Sequence, residues 1–222
     1  MMPVRTFLIA ALTLLVACGE RTEASAAAAA QGLKLDPAVW GIGPIIRGRN
    51  YSVGMPLHPA RSREGGLAID LPRAPASVHY VTFPHGSLAG KRRIVMRFRI
   101  EAAPGVRIVP TTAPGSPSAL TLYFQRRGDN WSGRRAYETY RWYATFATLW
   151  DLKPGSYEMV APLGAKWTAV ETSTAANAPG AFRAAVAEAG EVGFVLGGGD
   201  GYGHGVHATG RARLVVTSFR VE

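Results

Sequence analysis

The chain has 222 residues, a formal net charge of +10 and one cysteine. A single cysteine excludes an internal disulfide framework and any cysteine-based metal site. The length suits one domain with a sizeable core. The positive excess, mostly arginine, favours association with polyanions without defining a site for them.

From the N-terminus, Arg5 precedes an apolar run over residues 7–16 that only Thr13 interrupts. The run is short for a permanent membrane span and suits the apolar part of a signal peptide occupying residues 1–17. It ends in Leu15-Val16-Ala17-Cys18, which resembles the lipobox of bacterial lipoproteins. That resemblance implies a diacylglycerol on the Cys18 thiol, cleavage after Ala17, acylation of the new amino terminus and attachment to a membrane. An aspartate after the box would suggest retention at the inner membrane. Gly19 stands there, so the outer membrane is favoured. Residues 18–32, with their alanine tract and no apolar stripe, read as a lipidated terminus and flexible tether. In the cell envelope the polyanions at hand are lipid headgroups, lipopolysaccharide phosphates and acidic polysaccharides. Nucleic acid is a poor candidate there.

Residues 33–222 read as a single all-β domain, because short β-rich runs alternate with Gly and Pro clusters. The run over 78–83 (VHYVTF) is rich in β-formers. The run over 93–100 (RIVMRFRI) alternates, with Ile94, Met96, Phe98 and Ile100 on one face and Arg93, Val95, Arg97 and Arg99 on the other. Such period-two alternation marks a strand with one buried face. Further strands are predicted over 119–125, 139–145, 156–161, 166–170, 191–196 and 212–221. One helix is predicted over 179–189, with Pro179 at its start, Phe182 and Val186 on one face and Gly190 as its stop. The pattern is that of a β-sandwich with one short helix near the C-terminus.

The C-terminal succession GAFRAAVAEAG, EVGFVLGG, a glycine-rich loop and RARLVVTSFRVE resembles the end of galactose-binding-like jelly rolls. The resemblance implies that a loop near the last strands lies at a rim receiving a sugar. The loop in question, GGGDGYGHGVHATG over 197–210, holds seven glycines, two histidines, an aspartate and a tyrosine. No register in it supplies Gly-x-Gly-x-x-Gly, and no Walker lysine follows. His204 and His207 would need a third ligand to hold a metal, so neither a metal nor a cofactor is expected.

A second concentration lies over 125–150, where aromatic residues interleave with arginines. Strand alternation puts Tyr140 and Trp142 on one face and Arg141 and Tyr143 on the other. Trp131 sits in a polar loop, where an exposed ring can stack on a pyranose. The ligand-binding candidates are therefore Trp131, Asp200, Tyr202 and His204. No Gly-x-Ser-x-Gly or HExxH motif occurs, and no carboxylate pair can be named for glycoside hydrolysis. A lyase-like group could draw on His85, Tyr202 and arginines. The leading expectation is an envelope-anchored lipoprotein that binds glycan or another anionic envelope component. The alternatives are a structural or protein-interaction lipoprotein without a small-ligand site, and a polysaccharide-acting enzyme.

Overall fold

The computed structural model describes residues 35–199 and 202–222. Cys18, the signal segment, the tether and Asp200 lie outside the described residues. In chain order the strands are β1 (Gly41–Gly43), β2 (Ile45–Ile46), β3 (Arg49–Asn50), β4 (Ala60–Arg61), β5 (Leu67–Leu71), β6 (Tyr80–Pro84), β7 (Arg93–Ala102) and β8 (Ile108–Pro110). They continue with β9 (Ser118–Arg126), β10 (Arg141–Tyr143), β11 (Leu149–Trp150), β12 (Gly155–Pro162), β13 (Thr168–Ala169), β14 (Ala189–Gly198), β15 (Val206–Ala208) and β16 (Ala212–Val221). Helix α1 spans Pro179–Ala187.

Two antiparallel sheets form the sandwich. The larger has the order β1-β6-β14-β9-β10-β13, with β11 also paired to β9; the smaller has the order β12-β7-β16-β5-β4. Two two-stranded ribbons, β15-β8 and β2-β3, lie outside these sheets. The core fills the space between them. Ile94, Met96, Phe98 and Ile100 of β7 meet Leu120, Leu122 and Phe124 of β9 and Val192, Phe194 and Leu196 of β14 in one buried cluster. Trp40, Phe83 and Phe219 tie the N-terminal segment, β6 and β16 together, with ring centroids 4.5 to 5.5 Å apart. Aromatic pairs of this kind contribute about 0.5–1.5 kcal/mol each beyond the area they bury.

Helix α1 closes one end of the core. Phe182 points its ring edge at Phe124 and Trp142, with centroids 5.9 and 5.0 Å away. The helix begins at Pro179 as the sequence predicts and stops two residues short of the predicted end. Ala189 is already paired with Arg126 in the sheet, across a bulge before Glu191, so the backbone there serves β14. The predicted strand over 139–145 is also shorter. Turns of 3-10 helix occupy Arg135–Thr139 and Thr145–Ala147 and leave only β10 between them.

The stretch over 197–210 is only partly a loop. Gly197 and Gly198 complete β14, and Val206 to Ala208 pair with Pro110 to Ile108. Strand β9 is buried along nearly its whole length, although it lies in an antiparallel sheet. A strand buried on both faces needs cover on its second face. That cover is the candidate site.

Candidate functional site

Directly opposed residues of an antiparallel pair share a face, so the register defines what the larger sheet presents away from the core. Tyr123 of β9 lies between Tyr143 of β10 and Gly193 of β14, while Tyr80 of β6 lies opposite Val195. Gly193 has no side chain to put between its neighbours. The rings of Tyr80 and Tyr123 meet edge to face across that strand, with centroids 5.1 Å apart. Tyr123 and Tyr143 stack at 5.9 Å, and the hydroxyls of Tyr80 and Tyr143 hydrogen-bond at 2.8 Å. These three tyrosines and Val195 form a second buried cluster, with Trp131, Val170 and Tyr202 packed against it.

A polar chain runs beside the rings. The Tyr123 hydroxyl donates to Gln125 Oε1 at 2.8 Å, and Gln125 Nε2 donates to Asp129 Oδ2 at 3.1 Å. The other oxygen of Asp129 accepts the backbone N–H of Trp131 at 3.0 Å. Arg141 approaches the same carboxylate, with Nε 2.8 Å from Oδ2. The approach is close without being aligned: Nε is buried and has no hydrogen-bond partner among the described residues. We therefore treat the contact as an ion pair and not as a satisfied hydrogen bond. The guanidinium also lies 5.0 Å from the centroid of the Trp131 ring, whose edge contacts Tyr80 at 5.1 Å. Trp131 holds φ at 66°, a left-handed conformation that costs a bulky side chain roughly 1–2 kcal/mol.

The turn from Tyr202 to Gly205 completes the enclosure. Tyr202 stacks on Tyr143 with centroids 5.8 Å apart. The Gly203 carbonyl lies 2.9 Å from His79 Nδ1, and Ser77 Oγ lies 2.9 Å from His79 Nε2. A carbonyl only accepts, so Nδ1 donates and Nε2 accepts from the serine hydroxyl. Both nitrogens of His79 are thus engaged.

These groups line a cavity of about 290 Å³ that includes His79, Tyr80, Trp131, Arg141, Tyr143 and His204. A second cavity of about 360 Å³ adjoins it across Pro44, Tyr80 and Trp131, and reaches Thr82, His58 and Glu191. Burial pushes the phenols of Tyr123 and Tyr143 well above their ordinary range. It also raises Tyr80, although Arg141 opposes that rise. These hydroxyls therefore stay protonated, with the Tyr123 proton given to Gln125 and one of Tyr80 and Tyr143 donating to the other. Burial raises Asp129 against the pull of Arg141, and raises Glu191 against the hydroxyl of Thr82. Burial lowers His79, which is held neutral. For Arg141 burial works against the charge, but Tyr143, Tyr80 and Asp129 outweigh it and raise its pKa.

Trp131 meets Tyr202 and His204, which lie far along the chain from it, in this one cavity. His85 lies elsewhere, beside Phe83. The sequence reading missed Tyr80, Tyr143, Arg141, His79 and Asp129. A usable signal was present, since alternation had already placed Arg141 and Tyr143 on the face opposite Trp142. Among the described residues no group of three His, Cys, Asp or Glu side chains is placed to hold a metal.

Fold and cavity define a class of molecule: an antiparallel β-sandwich whose larger sheet carries an aromatic, arginine-bearing cavity on its outer face. Beyond that class, the chain matches no protein-family model and no curated protein.

Proposed function

We propose that this protein is a glycan-binding β-sandwich held at the cell envelope through a lipidated Cys18. The observation that carries the reading is the convergence of Trp131, Tyr202, Arg141 and His204 on one cavity beside a second. Apolar ring faces with a few fixed polar groups suit the alternating CH faces and hydroxyls of a pyranose. The hydroxyl pair of Tyr80 and Tyr143 and the guanidinium supply directional polar groups, and the adjoining cavities give room for a chain of sugars. Shallow sites of this composition bind in the micromolar to millimolar range, because immobilisation offsets much of the contact energy.

The test is a glycan array followed by calorimetric titration of the wild type and Trp131→Ala. The expected outcome is a saturable ligand whose affinity falls about tenfold or more in the variant, for a stability loss of about 1–2 kcal/mol. A wild type that binds no glycan overturns the reading.

A second reading, a polysaccharide-acting enzyme, draws support from the paired Tyr80 and Tyr143 hydroxyls beside Arg141. It predicts new reducing or unsaturated chain ends when polysaccharide is incubated with the protein. The raised phenol pKa values favour binding, because they leave neither tyrosine as a ready base.

A further inference from the structure

We infer that the cavity selects sugars that carry a carboxylate, and that the carboxylate seats against Arg141. The inference rests on the glycan-binding reading and adds the chemical class of the ligand.

The charges that face the cavity are unbalanced. Arg141 lines it with a side chain 9% exposed, while the side chain of its partner Asp129 is 0% exposed. Asp129 is also fully occupied, by Gln125, by the Trp131 N–H and by Arg141 itself. The carboxylate fixes the guanidinium from behind, and a ligand meets the cation. Among the described residues no acidic side chain lines this cavity, whereas His79 and His204 do. Arg49 adds a further positive charge at the rim, with its guanidinium 5.2 Å from the ring of Tyr51, a lining residue.

Donor bookkeeping agrees. A guanidinium carries five N–H donors in a fixed planar fork. Arg141 Nε is buried and turned toward Asp129, so the terminal nitrogens of the fork are what the side chain offers the cavity. A planar carboxylate matches the fork with two parallel hydrogen bonds, which a single sugar hydroxyl cannot do.

The adjoining cavity has the opposite character. Glu191 lines it, and Thr82 donates to Glu191 at 3.2 Å. A carboxyl there accepts from sugar hydroxyls and repels a second acid group. An oligosaccharide is therefore read in one direction, with its acidic unit at Arg141 and its hydroxyls toward Glu191.

The experiment titrates the full chain in detergent with short oligouronates, with the same oligomers after chemical reduction of their carboxyls to alcohols, and with sulfated neutral oligomers. Carboxyl reduction is expected to weaken binding roughly ten- to a hundredfold, the range of a charge-assisted hydrogen bond. Oligouronate affinity should also fall as salt rises, with no such fall for the reduced ligand. This comparison leaves the protein intact, so it holds even if changes at Arg141 impair folding. The double variant Asp129→Asn with Arg141→Gln removes both charges together and should erase the preference for the acid. Reduced oligomers binding as tightly as the oligouronates would overturn the carboxylate seat while leaving the glycan site standing. Equal or tighter binding of sulfated oligomers would overturn selection for a carboxylate. Failure of every oligomer to bind would remove the glycan reading and this inference with it.

Discussion

Gly203 and Gly205 decide what the glycine-rich stretch does. A Cβ on Gly203 would lie 2.6 Å from the Tyr80 hydroxyl oxygen, and one on Gly205 would lie 2.6 Å from His79 Nε2. Their φ values are 75° and 88°, so a side chain would be strained even without the clash. The glycines let the turn lie flat on His79 and on Tyr80 of β6. We expect Gly203→Ala to cost about 2–4 kcal/mol, combining overpacking with left-handed strain. Gly48→Ala is the control: φ is 78° and nothing lies within 4 Å of its added Cβ, so about 1 kcal/mol is expected. Urea unfolding of both variants measures the difference, and equal losses would show that the close approach is unimportant. His79 supports a second prediction. Its folded pKa lies below the ordinary 6.5 because of burial, so the unfolded chain binds more protons between the two values. Stability should therefore fall as pH drops through 6.5, and His79→Gln should flatten that fall. Identical pH profiles for the two proteins would dismiss the effect. Sequence reasoning groups Trp131 with Tyr202 and His204 as candidates for one ligand site, but the residues that join them (Tyr80, Asp129 and Arg141) lay beyond it, because they come together through strand register and not through spacing in the chain.

At the level of elements, legibility follows length. Strands β7, β9, β14 and β16 have nine or ten residues each, long enough for period or apolar content to stand out, and all four were predicted. Strands β1, β8 and β15 have three residues each. No period can be read from three residues, and only pairing with a distant partner makes them strands. The arginines of the smaller sheet looked, in sequence, like a cationic face. In the fold Arg97 pairs with Glu158, Arg99 with Glu64 and Glu101, Arg213 with Asp70, and Arg93 and Arg220 with Glu222. Nearby carboxylates thus neutralise much of that face, and the net positive excess, which already counts them, is carried elsewhere in the chain. Most of these side chains are well exposed, so each pair contributes little. Arg97→Gln should change the unfolding free energy by less than about 1 kcal/mol, as measured by thermal or urea unfolding. A loss of several kcal/mol would mean that the ladder of ion pairs acts as a structural unit.

On the scale of the whole molecule, the proposed attachment at Cys18 is tested apart from the fold. One buried cluster extends from Leu35 to Val221 and takes residues from both sheets, so the described residues contain a continuous apolar core. The smaller sheet closes only when β16 slots between β7 and β5, and Phe219 of that strand reaches Trp40 near the start of the described residues. Pairing of elements so distant in sequence makes folding slow and all-or-none. Anchoring, in contrast, is proposed to depend on the acyl chains at Cys18, since one chain binds a membrane reversibly and several bind it stably. Cys18→Ser should therefore abolish lipid labelling and move the protein from the membrane fraction to the soluble one. The same variant should keep its unfolding midpoint and its strand-dominated circular dichroism, because no core residue changes. Loss of fold together with membrane attachment would mean that the leader is part of the body. Unchanged partition into membranes would mean that something other than lipid holds it there, and the exposed Ile45, Tyr51 and Leu57, which line the two cavities, would be the first residues to replace.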